Sequence, residues 1–139
     1  GSPKEERIRQ FDERRVQDLQ FIQGEILNFW LNKARIPENL TFLKDDIRGV
    51  SIPTDPETGT VYEYSVKGLE TFELCATFSR STSAQVQPKG LHTQAGVPVP
   101  ARPYYESGLS QNWEHDAGRV CFERTIDKEL YKPQPLKGE

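Results

Sequence analysis

ERIRQFDERRVQDLQFIQGEILNFWLNK, residues 6–33, is the stretch that decides the fold. When its residues are spaced at 100° each, the large apolar side chains fall within one arc of about 100°, as in a helix that covers a core. These side chains are Ile8, Phe11, Leu19, Ile22, Ile26, Phe29 and Trp30. No proline interrupts the run, so we predict one helix of roughly 28 residues and about 42 Å.

The first turns of this helix are mostly charged, and only Ile8 and Phe11 continue the apolar stripe there. We therefore expect the helix to begin outside the globular body and to enter it around Val16. Arg15 lies within the apolar arc, where a buried guanidinium needs a carboxylate or carbonyl partner. The alternative is that the stripe leaves the core at this residue, and we favour that interpretation.

The composition is that of one domain over residues 1–139. Hydrophobic residues make up 35% of the chain, which is enough for one modest core. The formal net charge is −3, from 18 basic and 21 acidic residues, so nucleic acid is not an expected partner. No apolar run approaches the roughly 18 residues of a membrane span. We expect any membrane contact to be made only through a segment upstream of Gly1.

After residue 60 the apolar period changes from 3.6 to 2, which is the pattern of β-strands. We predict strands at residues 61–67, 71–78 and 119–125, with the first two joined as a hairpin at Lys67-Gly68. A short turn of helix is predicted at residues 38–43. The expected core face of the second strand is Phe72, Leu74, Ala76 and Phe78.

Residues 79–111 are rich in proline, glycine and serine and have almost no apolar periodicity. This segment is more than twice the usual upper length of an irregular loop. Either it is mobile or it wraps the surface, with four apolar and aromatic residues as anchors: Val97, Val99, Tyr104 and Tyr105. The tail at residues 132–139 is expected to fray. The predicted class is α+β: one long N-terminal helix on a small antiparallel sheet of three or four strands, with a long irregular loop.

The two cysteines, Cys75 and Cys121, each lie in a predicted strand. If the strands are neighbours in an exported protein, a disulfide would close a loop of about 46 residues and contribute roughly 4 kcal/mol. If the protein stays in the cytoplasm, both are small buried hydrophobic residues. Neither cysteine has the CxxC or histidine spacing of a metal or thiol-catalytic site.

The densest set of reactive side chains is WEHD, residues 113–116. A turn with exposed acids and an aromatic anchor is the commoner explanation of such a set, and we prefer it to a metal site. The DPETG turn at residues 55–59 is interpreted in the same way, with Asp55 bonded to backbone amides of the turn. No serine or cysteine is linked to His115 by sequence logic, and no phosphate-binding glycine loop is present. We therefore do not expect an enzyme.

A resemblance to a known family is carried by three strings in the same order: RRVQDLQFI (14–22), IPENL (36–40) and IPTDPETGTVYEY (52–64). The chain resembles the soluble part of type IV pilin-like proteins, in particular the pseudopilins of type II secretion, over about residues 6–78. The resemblance implies that the long helix crosses a small antiparallel sheet. It also implies an upstream membrane-spanning segment and an outward-facing domain, in the periplasm or at the cell surface.

The expected function is therefore non-catalytic: self-assembly or contact with protein partners, as in a pilin or pseudopilin subunit. The alternative is an outward-facing sensing or ligand-binding domain of a membrane protein unrelated to filaments. No cofactor is predicted. Because major pseudopilins bind calcium near their C-terminal strands, the resemblance draws attention to Glu114, Asp116 and Asp127 as metal candidates, although no ligand is assigned.

Overall fold

The predicted α+β class is confirmed by a computed structural model that describes residues 2–45, 48–82 and 112–134. A long N-terminal helix lies against one face of an antiparallel sheet, and three strands belong to that sheet in the described ranges. The elements are helix α1 (Pro3–Lys33), a 3₁₀ turn (Leu40–Leu43) and strands β1 (Glu63–Val66), β2 (Thr71–Phe78) and β3 (Gly118–Thr125).

Helix α1 begins three residues earlier than predicted, because Ser2 and Pro3 form a start signal. The Ser2 side chain accepts a hydrogen bond from the Glu5 N–H at 3.1 Å. Pro3, at the first helical position, has no backbone N–H that would need a partner. The helix ends where Ala34 adopts a left-handed conformation and donates its N–H to the Trp30 carbonyl. The chain therefore forms 31 residues of uninterrupted helix.

The exposed beginning of α1 agrees with the sequence analysis, but the entry point does not. The first buried residue of the helix is Asp12, one turn before the predicted Val16. From there the buried face continues through the apolar residues Leu19, Ile22, Ile26 and Trp30. The first buried residue of the helix is therefore an acid. A pattern of apolar residues cannot indicate a buried acid, so the sequence placed the entry point too late.

β2 is the central strand and carries the core face as predicted. The order of strands is β1-β2-β3, with both pairs antiparallel. The four residues predicted to face the core are at most 5% exposed and pack with the apolar residues of α1: Phe72, Leu74, Ala76 and Phe78. Tyr62 and Tyr64, two residues apart, lie on the same side of the hairpin, and both pack into this core.

Cys75 and Cys121 are opposite each other on β2 and β3 and form a disulfide. Because side chains alternate along a strand, the bridge lies on the sheet face that is turned away from α1. The predictions for residues 83–111, including the four anchors, lie outside the described residues. In the tail, the Gln134 N–H donates to the Leu31 carbonyl, so the described part of the tail contacts the end of α1.

Candidate functional site around Arg15

Arg15 is buried inside the domain, so our expectation that it marks the end of the buried stripe was wrong. Its side chain is 3% exposed and lies between α1 and the turn at residues 55–58. A buried guanidinium is stable only when carboxylates or other acceptors surround it. The structure supplies three carboxylates, two of which come from a distant part of the sequence.

The guanidinium of Arg15 forms a two-pronged ion pair with Asp55. Nε lies 2.7 Å from Oδ2 of Asp55, and Nη2 lies 3.1 Å from Oδ1. The remaining donors reach Asp12 at 2.7 Å and Glu57 at 2.8 Å. Such paired, charge-assisted hydrogen bonds fix both distance and orientation. They therefore attach the entry point of α1 to the 55–58 turn.

Asp12 connects the same cluster to the end of β2. Its two carboxylate oxygens accept hydrogen bonds from the backbone N–H groups of Ser79 and Arg80, each at 2.9 Å. Further along the helix, Asp18 accepts a hydrogen bond from the Tyr62 hydroxyl at 2.7 Å. Asp12 thus binds residues that directly follow β2, and Asp18 binds a residue that directly precedes β1.

Asp55 also organises its own turn, which confirms the structural interpretation of the DPETG motif. Oδ1 accepts hydrogen bonds from the N–H groups of Glu57 at 2.8 Å and Thr58 at 3.0 Å. The turn closes with the Gly59 N–H on the Asp55 carbonyl, and Gly59 has a positive φ of 78° that favours glycine. Hydrogen bonds within its own turn therefore hold the Asp55 carboxylate in the position from which it binds Arg15.

The electrostatics of the cluster favour the charged forms of Asp55 and Arg15 and the neutral form of Tyr62. Burial disfavours the ionised form of Asp55, but its hydrogen bonds to Arg15, Glu57 and Thr58 outweigh burial and lower the pKa of this carboxyl. Burial also disfavours the charge on Arg15, yet its bonds to Asp55, Glu57 and Asp12 raise its pKa. For Tyr62, burial and the bond to Asp18 both raise the pKa of the hydroxyl.

We predict that Asp55 makes the domain acid-sensitive. Because its folded pKa is lowered, its contribution to stability is present above the unfolded value of about 3.9 and is lost as the pH falls through the folded pKa. In urea unfolding between pH 7 and pH 3, the difference in stability between the wild type and Asp55→Asn should shrink as the pH falls. A Glu38→Gln variant of an exposed acid should stay parallel to the wild type, and a constant difference for Asp55→Asn would contradict the assignment.

A second cluster of buried polar groups surrounds Trp113, the aromatic anchor expected from the WEHD motif. The Arg124 guanidinium lies 4.5 Å from the centre of the Trp113 ring, and it donates to Gln23 at 3.0 Å and to the Asn112 carbonyl at 2.7 Å. Burial lowers the pKa of Arg124. The arrangement binds the start of the C-terminal segment to β3 and to α1.

His115 is buried, not exposed, and its ring stacks on Phe78 with 3.6 Å between the ring centres. Its Nδ1 lies 3.0 Å from the Trp113 carbonyl, which can only accept, so Nδ1 carries the hydrogen. The backbone N–H of His115 donates to the Thr82 hydroxyl at 2.6 Å. Nε2 is buried and has no hydrogen-bond partner among the described residues.

The structure does not bring the three metal candidates into one cluster. Glu114 and Asp116 are exposed and precede β3, whereas Asp127 follows β3 at its other end. Asp127 accepts a hydrogen bond from the Glu129 N–H at 2.8 Å, which is a local turn. In the described ranges, the one group of three metal-ligating side chains within 4.8 Å of one another is Glu73, Cys75 and Cys121.

Arg15 and the carboxylates around it fix α1 to the 55–58 turn and to the end of β2. These carboxylates are occupied by hydrogen bonds, and the His115 ring contacts a carbonyl and an aromatic ring. In the described ranges, no helix combines the length and the hydropathy that crossing a membrane requires. Comparison of the chain with protein-family models, curated proteins and solved structures found no match.

Proposed function

We propose that this chain is a non-catalytic structural or protein-interaction domain that acts outside the cytoplasmic membrane. It would be similar to the soluble part of a pilin or pseudopilin subunit, with α1 continuing upstream as a membrane anchor. The observation that carries this proposal is the form of α1. The helix extends beyond the body as an exposed arm and is attached to the body by buried ion pairs at the residue where it enters.

The arm, residues 3–11, is exposed except for the half-buried Ile8, Arg9 and Phe11, and it has its own helix-stabilising contacts. Arg9 forms ion pairs with Glu6, one turn before it, and with Glu13, one turn after it. Pairs at these spacings stabilise an isolated helix by about 0.2–0.5 kcal/mol each. The arm can therefore remain helical without a sheet beneath it, as a connection to an upstream helix requires.

The exposed side of α1 offers a surface for a protein partner. Gln17, Phe21 and Gly24 are exposed and follow one another at spacings of four and three residues, so they lie on one line of the helix. Phe21 is 43% exposed, and a Cβ added at Gly24 would meet no atom within 4 Å. An aromatic ring beside an open backbone is a suitable contact for a second helix.

The Cys75–Cys121 disulfide supports a location outside the cytoplasm. Disulfides persist in the periplasm and at cell surfaces, whereas cytoplasmic thiols are kept reduced. The net charge of −3 also favours protein partners over nucleic acid.

The proposal predicts that the exposed side of α1 contacts another protein in cells. A photo-crosslinking amino acid at Gln17 or Phe21 of the full-length protein should capture a second copy or one partner of defined mass. The same probe at Thr77, an exposed position on the other side of the sheet, is the matched control. Membrane fractionation and thiol alkylation should place the protein at the membrane with both cysteines oxidised. Free thiols in a cytosolic protein, or equal crosslinking from Thr77, would contradict the proposal.

A second candidate function, an outward-facing ligand-binding domain, is favoured by a cavity of about 440 Å³ beside His115. The cavity lies between α1 and residues 113–115 and is bordered by Val16, Gln20 and Trp113. In the neutral imidazole with the hydrogen on Nδ1, Nε2 is an acceptor, and a ligand that donates a hydrogen bond would reach this buried atom by displacing the groups that cover it. Under this function His115→Phe, which keeps a ring beside Phe78, would abolish ligand binding and leave the contacts of α1 unchanged.

A further inference from the structure

The outer face of the sheet holds a group of metal-ligating side chains to which the proposed function assigns no ligand. Cys75 and Cys121 are paired across β2 and β3, and Glu73 lies two residues before Cys75 on the same face. The carboxylate of Glu73 and the two sulfur atoms lie within 4.8 Å of one another. These three side chains are defined here as the outer-face site.

The ligand types of the outer-face site are those of zinc. Zn²⁺ is bound in proteins by thiolates, imidazoles and carboxylates in a tetrahedral arrangement. In the oxidised chain the two sulfur atoms are bonded to each other, so they have no thiolate character and cannot act as such ligands. The site can bind a metal only after that bond is broken.

We propose that the outer-face site is a redox-gated site for Zn²⁺ or a similar thiophilic divalent cation. A dithiol reductant transfers two electrons and two protons, the sulfur–sulfur bond breaks, and the reductant becomes a cyclic disulfide. The metal then replaces the two thiol protons and binds Cys75, Cys121 and Glu73, with water as the fourth ligand. Exchange with a disulfide oxidant, which is itself reduced to a dithiol, would reform the sulfur–sulfur bond and release the metal.

The surroundings of the site allow the reductant to approach. Cys75 is 2% exposed, but Cys121 and Glu73 are half-buried, and α1 lies on the opposite face of the sheet. A thiolate of the reductant can therefore attack the sulfur of Cys121 and displace the sulfur of Cys75 as a thiolate. The Arg119 guanidinium, 3.7 Å from the Cys75 sulfur, stabilises the departing thiolate.

Two cations lie near the site and set the balance of charge. Arg119 is also bound in a two-pronged pair by Glu63, at 2.7 Å for the shorter contact, so it shares its positive charge between that carboxylate and the Cys75 sulfur. Lys67 lies 3.7 Å from the Glu73 carboxylate and competes with the metal for it. Two thiolates and one carboxylate carry three negative charges, which exceed the single positive charge of Lys67 beside Glu73.

The experiment compares metal binding by the oxidised and the reduced chain. The protein is reduced with a phosphine, desalted without oxygen, and titrated with Co²⁺ for thiolate charge-transfer absorption and with Zn²⁺ against a chromophoric chelator. We expect one metal per reduced chain and none per oxidised chain. Glu73→Gln should weaken binding at least about tenfold. Glu129→Gln, an exposed acid beyond β3, should bind like the wild type, and the Cys75→Ser, Cys121→Ser double variant should not bind.

Circular dichroism recorded in the same titrations establishes whether the reduced chain is folded. Equal uptake by the oxidised and reduced proteins, or none by either, overturns the proposal. Unchanged affinity in Glu73→Gln also overturns it, because an unfolded or two-thiol site would bind the metal without that carboxylate. A reduced chain that is unfolded and remains unfolded with zinc is a further contradicting result. Failure of this proposal is distinguishable from failure of the proposed function, because metal uptake is measured on the purified, reduced protein and crosslinking from α1 is measured on the oxidised protein in cells.

Discussion

Arg15→Met should lower the free energy of unfolding by about 3–5 kcal/mol, the cost expected when one partner of a buried ion pair is removed. The variant leaves Asp12 fully buried and Asp55 only 7% exposed, and neither retains the guanidinium that balances its charge. Chemical denaturation followed by far-UV circular dichroism measures the loss. The smaller change Arg15→Lys should have an intermediate effect, because an ammonium keeps the charge but lacks the planar fork.

Arg14→Met is the matched control for this prediction. The Arg14 side chain is 62% exposed and lies 3.8 Å from Asp18, and such exposed pairs are worth less than about 1 kcal/mol. A loss below about 1 kcal/mol in both variants would show that Arg15 is solvated and that the cluster does not hold the helix.

Phe72→Ala should cost about 3–5 kcal/mol, since it removes a large side chain from a fully buried position. Phe72 lies on the central strand and belongs to the core that Leu19, Ile22 and Ile26 form beneath α1. The cavity would open between helix and sheet, so the denaturation midpoint should fall. Phe72→Leu, which fills most of the space, should lose less.

Leu69→Ala provides the comparison for the core prediction. Leu69 precedes β2 by two residues, but it is 85% exposed, so its truncation should change stability by less than about 0.5 kcal/mol. Similar losses at Leu69 and Phe72 would mean that α1 does not cover this face of the sheet.

The parts of the fold that the sequence predicted are those with a local pattern. The apolar stripe from Leu19 to Trp30 indicated the helix, and the alternation from Phe72 to Phe78 indicated the buried face of β2. The cysteine bridge followed from two predicted strands, once they were assumed to be neighbours. The helix start was missed, although Ser2 followed by Pro3 is a recognisable capping signal.

The buried polar groups could not be predicted because their partners are distant in the sequence. Asp55 is 40 residues from Arg15, and Gln23 is 101 residues from Arg124. A periodic pattern records which face a residue occupies, but it does not record which acceptor meets that residue across the fold. From the sequence, Arg15 was therefore interpreted as the end of the buried face. Its place within the apolar arc was in fact the correct signal that it is buried.

The outer-face site escaped sequence analysis for a related reason. Cysteine spacing identifies metal sites only when ligands are close in sequence, whereas Cys75 and Cys121 are 46 residues apart. The register of β2 and β3 supplies the missing information, because it places Glu73 on the face where the cysteines meet.

The central claim is that α1 is attached to the domain by Arg15 and the 55–58 turn, and a double-mutant cycle between Arg15→Met and Asp55→Asn tests it most directly. The four proteins are unfolded in urea at pH 7, and the interaction energy is the part of the double loss that the single losses do not explain. We predict a coupling of about 2–3 kcal/mol, in the upper range for residues in contact. Losses that add within about 0.5 kcal/mol would show that the two side chains do not meet and would contradict the account.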